Sequence, residues 1–491
     1  MEADCFTGDK NDRHWQSDGE SVRMRAQRIK IPLLDDFEVI SLSGTQSVNS
    51  HGFLKVAGYI SRRQEDEILS WSLEDCCKLE IVVIDENGTE YKWFEGVLLG
   101  SGIEVENDKR MLTLSLATGS YLMDINPHTR SFQSSGISYK AIFDTIHEEY
   151  GEGAAIFNVE EDRTIEHMIL QYEETDWQFA KRMASRFHAV LTPDTRFGFP
   201  VYFVGVSSRN PIDEIRTKTY TLEKRVGDFM HLRGEGVESV FEADLHAWHY
   251  KSREIYHLGD VVCFNGKNVC VSEVKSEMVG GELCHYYVFV SQRAMQVPKS
   301  YNQNLVGLSL KGQVGEVKRD CVTVTLDEDE NRGKSGTRFY PFATMYSSED
   351  GTGWYFMPEA SDAVRLFFPT EDEKDAFVVN AVHVQGKAAE KRSNPSFKSL
   401  MNRQGKEILF TPSCIRITNN AGMLIELDDS EGIKIVSDKA IRIASETLVD
   451  IKSSTDVVRL SAPNEIIFKQ GNTEMGLKEK MTFKGAQVRL D

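Results

Sequence analysis

Between Gly432 and Leu460 the apolar residues come in pairs, one residue apart. Ile433/Ile435, Ile441/Ile443 and Val449/Ile451 recur every eight residues. Upstream, Ile425/Leu427 keeps the interval and Ile415/Ile417 lies ten residues before it. Downstream come Val458/Leu460, nine on, then Ile466/Phe468, Met475/Leu477 and Val488/Leu490 at looser spacing. Ser, Asp, Lys, Thr, Asn and Gly separate the pairs. The pattern predicts strands of about five residues joined by short turns, and a fixed short period marks a stacked architecture. One such strand offers two or three inward side chains, roughly 1.5–3 kcal/mol each when buried. Ordering its backbone costs roughly 1–2 kcal/mol per residue. A single chain winding on this beat cannot cover its own apolar face. Three chains around one axis, each forming one wall of a triangular prism, can do so, and their strand edges are covered as well. The reading is a homotrimeric, intertwined β-helix over 405–491. About ten strands, about 4.8 Å apart, would give a rod on the order of 50 Å. The prism should become irregular after Phe468. An ordinary β-meander that happens to repeat is the plainer alternative.

The rest of the chain is mainly β with a few helices. At 491 residues it is too long for one core. Residues 1–25 are polar and read as a tail. From Ile29 to Leu116 alternating strands are broken by the turn pairs Asn87-Gly88 and Asn107-Asp108, which imply hairpins. Two helices follow within an insert over 138–191. One is capped by Ser138 and carries Ile142, Phe143, Ile146 and Tyr150. The other starts at Thr175-Asp176 and puts Phe179, Met183 and Phe187 on one face. Strands resume to about 295, so that 26–295 forms one large region. The 300–386 block has the size and strand rhythm of a five-stranded barrel, and 387–404 reads as a polar linker.

A net charge of −19 argues against nucleic-acid backbones and anionic membranes as partners. No apolar run is long enough for a transmembrane helix, and the N-terminus lacks a signal peptide's apolar stretch, so assembly in the cytoplasm is expected. Eight scattered cysteines without a CxxC pair fit reduced thiols. His246 and His249, on a strand, point to opposite faces and should not share a metal. In the acidic run 327–332, Asp327, Asp329 and Asn331 have the alternating spacing of a calcium loop. Arg332 and Arg338 then stand where that loop needs Gly and Glu, so the run reads as a solvated hairpin. The 348–353 stretch reads as a turn before Trp354. Glu173/Glu174 and Glu371–Glu373 lack the aromatic cleft of a glycosidase. No catalytic, metal or cofactor signature emerges.

Three segments resemble the VgrG-like spike proteins of contractile injection systems, in which a phage-type tail hub and its spike are fused. The first carries Arg130, Ser131, Phe132 and Gln133, then Tyr172, Glu174, Thr175, Asp176, Trp177, Phe179, Arg182 and Ala184. The second, in the 300–386 block, carries Trp354, Met357, Pro358, Glu359, Asp362, Val364, Phe368 and Pro369, similar to the family's OB-fold signature. The third is the repeat, with Ile425, Leu427, Ile433, Ile435, Ile441, Ile443, Val449, Ile451, Val458, Leu460, Ile466 and Phe468 as the prism core. Where the family often has Gly, this chain has Ser361. The resemblance implies a hub of β-barrels, an OB-fold barrel and a trimeric spike. It implies a non-enzymatic role, capping an Hcp-like inner tube and puncturing an envelope to deliver effectors. The implied partners are two further copies, baseplate proteins and a PAAR-like tip protein near Leu490. A polysaccharide-cutting tailspike and a baseplate protein without a piercing role are the competing readings.

Overall fold

The computed structural model describes residues 28–34, 36–69, 78–159, 162–207, 210–379 and 393–477. The tail over 1–25, residues 387–392 of the linker, and the Val488/Leu490 pair lie outside the described residues. The chain divides into two compact units, 1–383 and 384–491, each described by itself.

In the first unit a 12-stranded sheet starts at the edge strand Arg28–Lys30. It runs through Lys78–Ile84, Glu90–Glu106, Lys109–Thr118, Phe53–Ile60 and Glu38–Ser47. It then continues, with no break in pairing, into Lys267–Val279, Glu282–Val290, His246–Ser252 and Thr221–Lys224, while Val261–Phe264 and then Glu214–Ile215 branch from Lys267–Val279. Each half curls over its own core: Leu54, Ile81, Phe94 and Leu112 in one, Val262, Phe264, Tyr287 and Phe289 in the other. The expected turn at Asn107-Asp108 has both residues at positive φ (49° and 66°) and joins the paired Glu106 and Lys109. This backbone twist matches that of the flanking strands. Two short helices, Arg62–Leu69 and Val226–Gly234, were not legible in the sequence. Each buries a single described apolar residue, Ile68 or Leu232, so neither shows an apolar stripe.

The expected helical insert is present. Ser138 caps Tyr139–His147, its hydroxyl accepting from the Ala141 N–H at 3.2 Å. Thr175 and Gln178 form a reciprocal capping box at the start of Asp176–Ser185. Tyr150 and Phe187 lie just past the helix ends, packed against the same core as Ile142, Phe179 and Met183.

The block after residue 300 is a five-stranded sheet, in the order Phe339–Pro341, Cys321–Leu326, Ser309–Lys318, Ala363–Phe367 and Phe377–Val379. A bridge between Phe342 and Val378 closes it into a small barrel around Val322, Leu366, Phe368 and Val378. Ser361 sits at φ 74°, in the left-handed region that favours glycine.

The second unit begins with a five-stranded antiparallel meander: Lys398–Met401, Glu407–Phe410, Cys414–Thr418, Leu424–Asp428 and Gly432–Val436. The apolar pairs stack in register. Ile408, Ile417, Ile425 and Ile435 form one column, and Phe410, Ile415, Leu427 and Ile433 the other. This face stays open, its side chains 37–74% exposed. The opposite face carries the polar row Arg416, Glu426 and Lys434. From 437 to 465 the chain forms no strand, although the beat is most regular there. Its turns nevertheless form at the repeat interval. Ser437, Ser445 and Ser453 each accept, through the hydroxyl, a backbone N–H two or three residues on. A hairpin then pairs Ile466–Gln470 with Thr473–Leu477. Regularity thus fails before Phe468 rather than after it. The hairpin can pair locally through a two-residue turn, whereas the rungs before it find no backbone partner within one chain.

Two outcomes follow for the first unit. Replacing Ser361→Gly should raise the thermal stability of the barrel by up to about 1 kcal/mol, because the left-handed conformation is strained for serine. Burial holds His147 and His257 down to about 4, and His285 to about 3. Folded rings that stay neutral while unfolded ones protonate lose stability as pH falls from 6.5 towards 4, roughly 1.4 kcal/mol per pH unit for each ring. Asp260, raised by burial to about 6, works in the opposite sense and offsets about one of the three. Melting temperatures recorded from pH 7.5 to 5 should therefore bend downward below 6.5; a flat profile would contradict the account.

Candidate functional site

The strand Ile169–Thr175 serves two cores at once. Ile169 packs with Phe132, Trp177 and Phe179 in the helical insert. Met168, just before the strand, and Leu170 belong to the core of the small barrel, with Val322, Leu366 and Phe368. A strand covered on both faces must be apolar on both, and this one reads Met-Ile-Leu where it is sandwiched. The insert and the barrel therefore share a structural element across their joint.

Polar contacts at the same joint lie in three places. In the first, Arg182, almost fully buried, donates to Glu174 at 2.7 and 2.9 Å, to Glu373 of the barrel at 2.6 Å and to the Leu170 carbonyl at 2.8 Å. Arg186 reaches the other Glu373 oxygen at 3.4 Å. Burial by itself would make Arg182 easier to deprotonate, but the Glu373 and Glu174 carboxylates outweigh it and strengthen its hold on the proton. In the second, Asp176, fully buried, accepts from Arg130 at 2.6 Å, Gln171 at 2.8 Å and the Tyr150 hydroxyl at 2.7 Å. Arg130 also reaches Glu149 at 2.5 Å and Glu330 of the barrel at 3.3 Å.

The third place corrects a sequence expectation. The acidic run at 327–332 is neither a solvated hairpin nor a calcium loop. Asp329 and Asn331 are buried. Asp329 accepts from both the backbone N–H (2.8 Å) and the hydroxyl (2.5 Å) of Ser131, and Asn331 donates to the Ser131 carbonyl at 3.2 Å. Thr129 and Glu330 exchange two further bonds, at 2.9 and 3.0 Å. The loop thus lies along the strand Pro127–Phe132 and satisfies its open edge. The partners are about 200 residues apart in sequence, so no local pattern could reveal them.

The other predicted residues are placed as follows. Trp177 is buried, T-shaped against Tyr202 at 5.5 Å. Tyr172 is half-buried against the barrel core. In the barrel signature, Val364 and Phe368 are core, Met357 packs against it and Pro358 is half-buried, whereas Trp354 and Pro369 are exposed. Asp362 caps a turn, accepting from the Glu359 N–H at 2.8 Å. Ile441, Ile443, Val449, Ile451, Val458 and Leu460 are exposed in the strandless stretch. His246 and His249 go separate ways, to the Ala243 carbonyl and to Glu223.

Among the described residues, two groupings are tight enough for a cation: His128–Glu149–Asp176 and His167–Asp372–Glu373. Guanidinium groups already serve both, Arg130 in the first, Arg182 and Arg186 in the second. Ser120, His51 and Asp124 line up in a hydrogen-bonded chain, with 2.9 and 3.3 Å contacts. Ser120 is buried and also bonded to Thr118 at 2.9 Å, so its hydroxyl is not presented to a substrate. The chemistry of the joint is that of cohesion.

No protein-family profile and no curated protein matches this chain. Solved structures do. One is the E. coli c3393 protein, described as a component of the type VI secretion system with structural similarity to the T4 bacteriophage tail proteins gp27 and gp5. It matches at 12% identity with a TM-score of 0.52, over 72% of this chain and 99% of c3393. Another is the half-lidded Francisella PdpA–VgrG complex, at 9% identity and a TM-score of 0.50, over 82% of this chain and 84% of the matched one. This chain has the fold of a VgrG-like spike protein.

Removing one partner of the buried joint should be costly. Arg182→Met leaves Glu174 without its cation and Glu373 with only the longer Arg186 contact, and is expected to destabilise the insert and barrel by about 3–5 kcal/mol. Asp329→Ala, which strands the Ser131 donors, should cost about 1–3 kcal/mol. Urea denaturation followed by tryptophan fluorescence checks both; a loss under 1 kcal/mol for Arg182→Met would show that the joint is held by its apolar contacts alone.

Proposed function

We propose that the chain is the hub and spike of a contractile injection machine, working as a homotrimer that caps an Hcp-like inner tube and pierces a target envelope. The observation that carries this reading is the second unit. Its five-stranded sheet presents two columns of apolar side chains in register and leaves them open to water. Beyond it, the turns repeat every eight residues with rungs that have no strand partner. Burying each of these side chains is worth roughly 1.5–3 kcal/mol. Identical copies supply faces of matching spacing, and with three of them the columns meet on one axis.

The hub–barrel joint suits the mechanical part of the proposal. A thrust delivered to the hub would pass to the barrel through a shared strand, three buried arginines and a docked loop. The likeness to c3393, described as a secretion-system component, and to a chain of the PdpA–VgrG complex favours assembly with other secretion or baseplate proteins. The role is structural rather than catalytic, and the extreme C-terminal end would seat a PAAR-like tip protein. Delivery from the cytoplasm outward, on contraction, completes the proposal.

Light scattering of the purified full-length chain should give three times the 55.6 kDa protomer mass. A mixture with the tube subunit from the same source should co-elute as a complex. Removing 405–491 should reduce the trimer to monomers. A full-length monomer would sink the proposal, and a trimer that survives the truncation would shift the oligomerising role to the hub.

A further inference from the structure

A cleft of about 680 Å³ opens where the helical insert meets the second half of the large sheet. That volume lies within the range of small-ligand sites, which favour joints between structural blocks. Its floor is apolar. Val190, Val206 and Met295 rise into it from the core beneath, and Phe187 lies half-buried beside them. Its two walls are tied to each other. The His188 Nδ1–H donates to the Val297 carbonyl at 2.9 Å, and the Val297 N–H returns a bond to the His188 carbonyl at 3.2 Å. The site is therefore held in shape by the fold.

The polar groups of the cleft are donors in want of an acceptor. The Arg163 guanidinium stacks over the Phe187 ring, 4.7 Å from its centre, and gives one N–H to the Arg186 carbonyl at 2.6 Å. A guanidinium has five N–H donors, and among the described residues no carboxylate pairs with this one. From the facing wall, Gln296 accepts the Ser239 hydroxyl on its Oε1 at 2.5 Å, which leaves the amide NH₂ without a partner among the described residues. No residue that lines the cleft is acidic. That is unusual in a chain with 76 Asp and Glu against 57 Lys and Arg. The clefts beside Lys275 and Lys30, by contrast, include Glu273, and Glu38 with Glu90.

We infer that this cleft is a binding site for a small organic acid, with the carboxylate held by Arg163 and Gln296 and the apolar body laid against Phe187, Val206 and Met295. Guanidinium and carboxylate match as a planar, two-bonded pair. The ring beneath Arg163 and the carbonyl beside it already fix its plane, so little ordering is left for the ligand to impose. At the joint between insert and barrel, each buried guanidinium meets a carboxylate of its own chain. Here the cation is left for a carboxylate from elsewhere. The inference depends neither on the spike reading nor on the oligomeric state.

Cinnamate, an acid with an apolar aromatic body, is titrated calorimetrically into the full-length chain. The expected result is saturable binding of one cinnamate per chain. Arg163→Gln should weaken it by about tenfold or more, as should exchanging cinnamate for the uncharged cinnamyl alcohol. Arg163→Lys, which keeps the charge but loses the planar fork, should fall between the parent and Arg163→Gln. Arg163 is exposed, so both variants should melt with the parent. Should either melt earlier, the comparison of acid with alcohol on the parent chain still decides. Absence of saturable binding overturns the inference, as does equal affinity for acid and alcohol. Affinity unchanged by Arg163→Gln also overturns it, since that is the behaviour of cinnamate held on the open apolar face of the second unit.

Discussion

Arg182 is the residue on which the first unit depends. A guanidinium taken out of water is tolerable only where carboxylates surround it in good geometry. Here Glu174 comes from the end of the shared strand, and Glu373 from the barrel nearly 200 residues later. Neither domain can satisfy the charge alone. The apolar strand beneath has the same property, since it gives Ile169 to one core and Leu170 to the other. Separating the insert from the barrel would expose a charge cluster and a two-faced strand together.

The second unit is built on the opposite principle. The second unit leaves an entire sheet face open to water. The proposed trimer would bury that face. The eight-residue turns exist in the single chain because a serine hydroxyl and a nearby N–H are local partners. The rungs between them do not pair because their partners are not local. The division between what forms and what does not follows sequence distance.

Much of the fold was legible in the sequence because it rests on short-range chemistry. The Ser138 and Thr175 caps, the Asn107-Asp108 turn and the five strands of the barrel are set by residues within a few positions of one another. The left-handed Ser361 stands where the VgrG-like pattern often has glycine. The joint was only half legible. Arg130, Asp176 and Arg182 were picked out through the resemblance, but their partners Glu330 and Glu373 were read as solvated or idle acids. An acidic run has the same local appearance whether it faces water or a buried guanidinium. The short helices Arg62–Leu69 and Val226–Gly234 were missed because they bury too little to leave a periodic trace.

The sequence by itself determined the beat of the second unit and its turns, because apolar spacing and turn chemistry are written in neighbouring residues. Only the tertiary structure decided that the acidic loop 327–332 is a clasp and that Glu373 belongs to Arg182. Those assignments depend on which distant charges and surfaces meet when the chain closes on itself, and burial sets their energies. Spacing along the chain cannot express either.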